Sequence, residues 1–241
     1  MTVLYEDEAL LAIGKPSGLV VHPAYKHPSG TLADAVFARQ RARGEGRPWL
    51  LHRLDRDTSG VVLFAKTVAA RRALVRQFER RTVRKLYLAI TCGVPTPTEG
   101  AIVGPLRRDP ADRRRVLVAP DGQPSTTCYA VLATSSAAAV VLAQPLTGRT
   151  HQIRAHLAHQ GAPLVGDALY QPAGAGDMGT RVDAPRAMLH AWRLEVAYPG
   201  TGALVVVAAP LPADFRAALE RLGLCDGLGR LLRLYRLADS M

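Results

Sequence analysis

Cysteine is nearly missing from this chain. Cys92, Cys128 and Cys225 are far apart and odd in number, and no CxxC pair occurs. Neither a disulfide framework nor a zinc-thiolate site is indicated, which suits a reducing compartment. No apolar run approaches the roughly 20 residues needed to cross a bilayer. The opening residues, Met1 to Glu8, turn acidic where a secretion signal would be basic and then apolar. Neither GxxxxGK[ST] nor GxGxxG is present, so no nucleotide cofactor is implied. Repeats and low-complexity tracts are also absent. These gaps lead us to expect a soluble, cytoplasmic protein that needs no cofactor.

Acidic residues are in short supply, with 20 Asp and Glu against 31 Lys and Arg, a net charge of +11. Such an excess favours a polyanionic partner, nucleic acid above all. The bland alternative is a basic solvated surface in an arginine-rich proteome. The 241 residues, 48% of them hydrophobic, suffice for one large domain or for two lobes sharing a cleft.

Periodicity outlines the elements. Val3–Tyr5 and Leu10–Ile13 read as short strands, the second broken by Lys15-Pro16-Ser17-Gly18. Thr31 is the expected N-cap of a helix running to about Arg43. Val61–Ala65 reads as a buried strand. An amphipathic helix follows over 68–80, with Ala70, Leu74 and Phe78 opposite Arg71, Arg72, Arg76 and Arg80. Leu86–Thr91 is another strand, and Thr126–Thr134 pairs with Ala138–Ala143 as a hairpin. A helix is expected from about Thr150 to His159, then a strand Ala203–Ala209 and a helix Ala213–Leu222. Strands outnumber helices and neighbour one another, so the predicted class is α+β, a largely antiparallel mixed sheet flanked by helices. Residues 1–222 are expected to form the main domain and 223–241 a basic, leucine-rich tail.

The densest chemistry is in His52-Arg53-Leu54-Asp55-Arg56-Asp57-Thr58-Ser59-Gly60. Two carboxylates stand among two arginines in a turn that feeds a buried strand, a common way to present reactive groups on a rigid support. A positioned, ionised carboxylate can act as a covalent nucleophile, and Arg53 and Arg56 would favour the ionised form of Asp55. Taken alone, the turn reads first as a self-neutralising piece of surface.

The segment resembles the signature of RluA-type pseudouridine synthases, whose Asp after Arg-Leu is the nucleophile; the matching position is Asp55. Three further blocks extend the likeness. Gly148-Arg149-Thr150-His151-Gln152-Ile153-Arg154-Ala155-His156 resembles the family motif whose last arginine pairs with the nucleophilic carboxylate, which falls on Arg154. Lys85-Leu86-Tyr87-Leu88-Ala89 resembles the strand whose tyrosine packs on the target base, here Tyr87. The opening Lys15–Pro23 segment, Gly166-Asp167-Ala168-Leu169-Tyr170 and Leu189-His190-Ala191 resemble the flanking motifs, so the likeness covers about residues 3 to 215. Many relatives begin with a small RNA-binding domain, and this sequence is expected to start directly at the catalytic one.

The resemblance implies the pseudouridine synthase fold with a central RNA-binding cleft, uridine in structured RNA (ribosomal or transfer) as substrate, and no cofactor. Its candidate catalytic residues are Asp55, Tyr87 and Arg154. Arg53 would hold the space vacated by a flipped base. Arg56 and Arg149, with Arg107, Arg108, Arg113, Arg114 and Arg115 in an expected hairpin or loop around Pro110, are candidate phosphate contacts. His151 and His156, about 140° apart around a helix, cannot converge on one metal ion, so packed or hydrogen-bonded histidines are expected. The protein is expected to act as a monomer, without membrane or metal. Two other classes stay open on the residues: an RNA-binding protein without catalysis, and a nucleosidase or glycosidase using Asp55 and Asp57 as acid and base.

Overall fold

A computed structural model describes residues 1–23, 27–171, 184–226 and 229. Of the tail over 223–241, residues 227, 228 and 230–241 lie outside the described residues. The described chain divides into two compact units.

The first unit comprises Met1–Leu86 and His190–Leu211. β1 (Thr2–Glu6) and β2 (Leu10–Lys15) form an antiparallel pair. Asp7 shapes their turn by accepting from the Ala9 and Leu10 amides. α1 (Leu32–Ala42) begins at Thr31 as expected, with a reciprocal capping box between Thr31 and Asp34. β3 (Trp49–Leu50) and β2 both pair antiparallel with β4 (Ser59–Ala65), which is buried throughout. α2 (Val68–Glu79) lays Ala70, Leu74 and Phe78 on a cluster formed with Leu10, Val61, Leu63, Leu194 and Val207. Burying a leucine such as Leu74 contributes about 2 kcal/mol. β11 (Leu189–Ala197) runs parallel to β4 and antiparallel to β12 (Leu204–Ala208).

The second unit holds the described residues of 87–189 and from Pro212 onward. Residues from 87 of β5 (Arg84–Cys92) pair antiparallel with β10 (Ala138–Pro145). β10 pairs with β9 (Thr126–Thr134) in the expected hairpin, and β6 (Glu99–Val103) takes the other side of β9. β7 (Leu106–Arg108) and β8 (Val116–Val118) make a separate antiparallel pair around Pro110. α3 (Gln152–His159) packs Ile153 and Leu157 against Ala89, Val141 and Leu164. α4 (Ala213–Arg221) buries Phe215, Ala218 and Leu219. The mixed, mostly antiparallel α+β class is as expected.

The β7–β8 pair is the hairpin alternative expected around Pro110, although its strands were not placed, and β3, β6 and β11 were not anticipated at all. β3, β7 and β8 are too short for periodicity to register, and β6 buries only Ile102. β11 hid because His190, Arg193 and Glu195 interrupt its apolar residues. The structure absorbs them locally: Arg193 pairs with Glu195 at 2.7 Å, and His190 is hydrogen-bonded on both ring nitrogens.

Candidate active site

The turn carrying Asp55 is anchored at both ends. Leu54 is buried before it, while Thr58, Ser59 and Gly60 are buried after it. The Thr58 amide donates to the Asp55 carbonyl at 3.1 Å. The Ser59 hydroxyl lies 2.9 Å from His190 Nδ1, and His190 Nε2 lies 3.2 Å from the Ala209 carbonyl. A carbonyl only accepts, so Nε2 carries a proton. Gly60 has φ +123°, and a Cβ there would stand 2.1 Å from the Ala191 carbonyl oxygen. Only glycine permits this parallel approach of β4 and β11. The Ser-Gly of the signature and the His-Ala near residue 190 are therefore two halves of one junction.

A second brace comes from the Lys15–Pro23 segment. Lys15 is 2% exposed, and its ammonium donates to the carbonyls of Pro16, Leu19 and Arg56, the last within the turn. Ser17 donates to the Asp57 carbonyl at 2.9 Å. The backbone on the C-terminal side of Asp55 is thus tied down from a separate stretch of chain.

The Arg56 guanidinium meets Asp57 at 3.1 Å, with both side chains largely exposed, where such a pair contributes little. Arg53 is exposed and makes no ion pair among the described residues. His52 is not a proton carrier for the site: its Nε2 accepts from the Leu63 amide and its ring stacks on Phe78. Burial, with the Lys85 charge, pushes its pKa down to about 3.

The second motif block is built around α3. His151 precedes the helix in a left-handed conformation (φ 51°, ψ 20°), so the helix begins two residues later than expected. His151 is therefore off the helix, and the helical-angle argument about His151 and His156 does not apply. Gln152 organises the entry, accepting from Thr147 and the Arg149 amide and donating to the Thr126 carbonyl and Thr127 hydroxyl. His156 is buried between Thr127 and the Gly104 carbonyl, hydrogen-bonded as expected, and burial lowers its pKa.

Arg154 is nearly buried and grips Asp167 with Nε at 2.7 Å and Nη2 at 2.8 Å. Asp167 is 1% exposed and also accepts from the Leu169 amide. The Tyr170 ring lies 5.1 Å from the guanidinium carbon, and its hydroxyl receives the Val116 amide and meets His151. The sequence reading placed Arg154 with Asp55 and did not name Asp167, which the fold adds as a bidentate partner. The signal was present in the Gly-Asp-Ala-Leu-Tyr block, whose acid and ring both address the arginine.

Tyr87 is half-buried on β5, opposite Ala143, at the margin of the cluster that holds Ile153. Arg149 is exposed at the start of α3. In the β7–β8 hairpin, Arg115 pairs with buried Asp109, Arg114 with Asp112, and Arg107 with Asp121. These pairings hold Asp109 below the usual carboxylate range and Asp112 down to about 2. Arg108 and Arg113 are exposed and make no ion pair among the described residues. No cluster of three or more His, Cys, Asp or Glu suited to a metal occurs among the described residues. Nor is any described helix long and apolar enough to cross a membrane.

With this geometry in view, the chain was compared with known proteins. The family model described as RNA pseudouridylate synthase matches residues 9–159. This chain belongs to that family. An uncharacterized RNA pseudouridine synthase of Chloroflexus aurantiacus is 45% identical over 86% of this chain and 65% of its own length. A ribosomal large subunit pseudouridine synthase D of Nitrosomonas europaea is 39% identical over 91% of this chain and 64% of its own. The chain therefore spans just under two thirds of these relatives. The solved structure of Human RNA Pseudouridylate Synthase Domain Containing 4 superposes with TM-score 0.74 at 28% identity, covering 91% of this chain and 92% of that one. As an RNA pseudouridylate synthase family member, the chain carries Asp55, Tyr87, Arg154 and the arginine hairpin inside the matched span. The braces from Asp167, Tyr170 and His190 lie beyond it.

Proposed function

We propose that this protein is a pseudouridine synthase acting in the cytoplasm on uridine in structured RNA, large-subunit ribosomal or transfer RNA, with Asp55 as its catalytic carboxylate. The observation that carries this reading is the bracing of the Asp55 turn by Lys15, Ser17 and the Ser59–His190 junction. A carboxylate held this way loses little orientational freedom when it reacts. The reaction is an isomerisation. The bond between C1′ and uracil N1 breaks, the ring turns, C5 bonds to C1′, and the C5 proton is lost as N1 regains one. Nothing is oxidised or reduced, so residue chemistry suffices.

In this scheme Arg154, set in place by Asp167, orients the nucleophilic carboxylate, and Tyr87 packs on the base. The target uridine is extruded from its stack, at a cost of about a few kcal/mol, with Arg53 filling the gap. Family relatives that are named for the ribosomal large subunit support ribosomal RNA as the substrate class.

Incubation with ribosomal and transfer RNA transcribed in vitro, followed by pseudouridine mapping, tests the reading. Site-specific conversion that disappears with Asp55→Asn is the expected result. Release of free uracil would instead mark a nucleosidase, and tight binding without conversion a non-catalytic RNA-binding protein.

A further inference from the structure

The arginines of α2 have no role in the scheme above. Several other basic groups meet carboxylates, Glu6 for Arg39, Glu45 for Arg43, and Asp121, Asp112 and Asp109 for Arg107, Arg114 and Arg115. Along α2, Arg71, Arg72, Arg76 and Arg80 are exposed and make no ion pair among the described residues. Glu79, the helix's single acid, pairs with none of them. Arg72, Arg76 and Arg80 follow one another at i, i+4, about 6 Å apart along the axis. Like charges at that spacing weaken a helix. The first turn has no acidic residue either, and the Thr67 hydroxyl, which accepts from the Ala70 amide, caps it without bringing a negative charge. What holds the helix is its other face, Ala70, Leu74 and Phe78, which is packed in the core.

We propose that this row is a docking surface for the phosphate backbone of the substrate RNA away from the target uridine. The inference rests on the RNA-modifying reading above. Guanidinium forks suit phosphate oxygens, and a row without internal counter-charges releases counterions from RNA when it binds. A lipid surface fits poorly, because the apolar face that would insert is already buried. Backbone contacts of this kind carry no base information and act on affinity, not on the chemical step.

The test replaces Arg72, Arg76 and Arg80 by Gln in the full chain, a change that preserves helix propensity. Affinity for large-subunit ribosomal RNA transcribed in vitro is measured across a salt series, with single-turnover pseudouridine formation at saturating enzyme. We expect the slope of log affinity against log salt to fall by about 2 to 3, affinity to drop at least about tenfold, and the single-turnover rate to stay the same. The triple Lys variant should keep the slope. Arg76→Gln alone should remove about one third of the effect, which gives a reading even if the triple variant folds poorly. An unchanged slope in the Gln variants overturns the docking surface, as does a loss confined to the single-turnover rate. Wild-type protein that binds with a steep slope yet forms no pseudouridine would sink the catalytic reading and leave this surface standing.

Discussion

Arg154 and Asp167 meet edge to edge, two guanidinium nitrogens on two carboxylate oxygens at 2.7 and 2.8 Å, with the acid almost wholly buried. A bidentate pair in that setting fixes the plane of the guanidinium as well as its charge. Asp167→Asn should therefore lower stability by about 2 kcal/mol, since it weakens a buried charge-assisted bidentate pair, and turnover should fall with it. Arg154→Lys should restore only part of the activity lost in Arg154→Ala, because a point charge cannot form the fork. Urea unfolding and single-turnover rates check both; an unchanged midpoint in Asp167→Asn would mean that Arg154 has another adequate acceptor.

Asp55→Asn should abolish pseudouridine formation while leaving melting temperature and most RNA affinity intact, as it removes the nucleophile and keeps the shape. Asp57→Asn should be mild, because its ion pair with Arg56 is largely exposed, where such a pair contributes little. Near-normal turnover in the Asp55 variant would refute the assignment.

Two glycines with positive φ separate strain from collision. Gly60→Ala places a methyl group against the Ala191 carbonyl and should prevent the β4–β11 junction from forming, seen as insoluble or strongly destabilised protein. Gly18→Ala has open space around it and should cost only about 1 kcal/mol. Equal effects would argue against the close approach at Gly60.

In the arginine hairpin, Arg108 and Arg113 are the side chains available to phosphates. Replacing both with Ala should reduce the salt slope of RNA binding by about 1 to 2. Arg115→Ala should mainly destabilise the hairpin by leaving Asp109 without its cation. Binding isotherms at several salt concentrations distinguish the two effects; no slope change would return the hairpin to a solvated surface.

His52 makes a prediction about acid. Its folded pKa, about 3, lies below the unfolded value of about 6.5, so only the unfolded state takes up a proton between them. Its contribution is complete above about pH 6.5 and declines as pH falls toward 3, at up to about 1.4 kcal/mol per pH unit. His52→Gln should flatten the loss of stability between pH 6.5 and 5, measured by thermal unfolding. An unaltered pH profile would show that His52 protonates freely in the native state.

What could be read from the sequence alone was short-range. Thr31 and Asp34 announce a capping box because both partners lie within one turn of helix. Ala70, Leu74 and Phe78 announce a buried helix face because their spacing is the helix period. Asp55 was legible as a candidate because its turn resembles a known signature, not because any local physics singles it out from Asp57.

Long-range pairing was a different matter. That Arg154 meets Asp167, that Lys15 donates to the Arg56 carbonyl, and that Ser59 meets His190 depends on contacts 13, 41 and 131 residues apart in the chain. β11 was invisible for the same reason: its polar residues are tolerable inside a sheet only once Glu195, Ser59 and the Ala209 carbonyl satisfy them. Residue type and periodicity determine which segments become helices and strands and which side chains have reactive chemistry. Which buried charge meets which is decided only when tertiary packing removes water and sets which protein partners are within reach of each polar group.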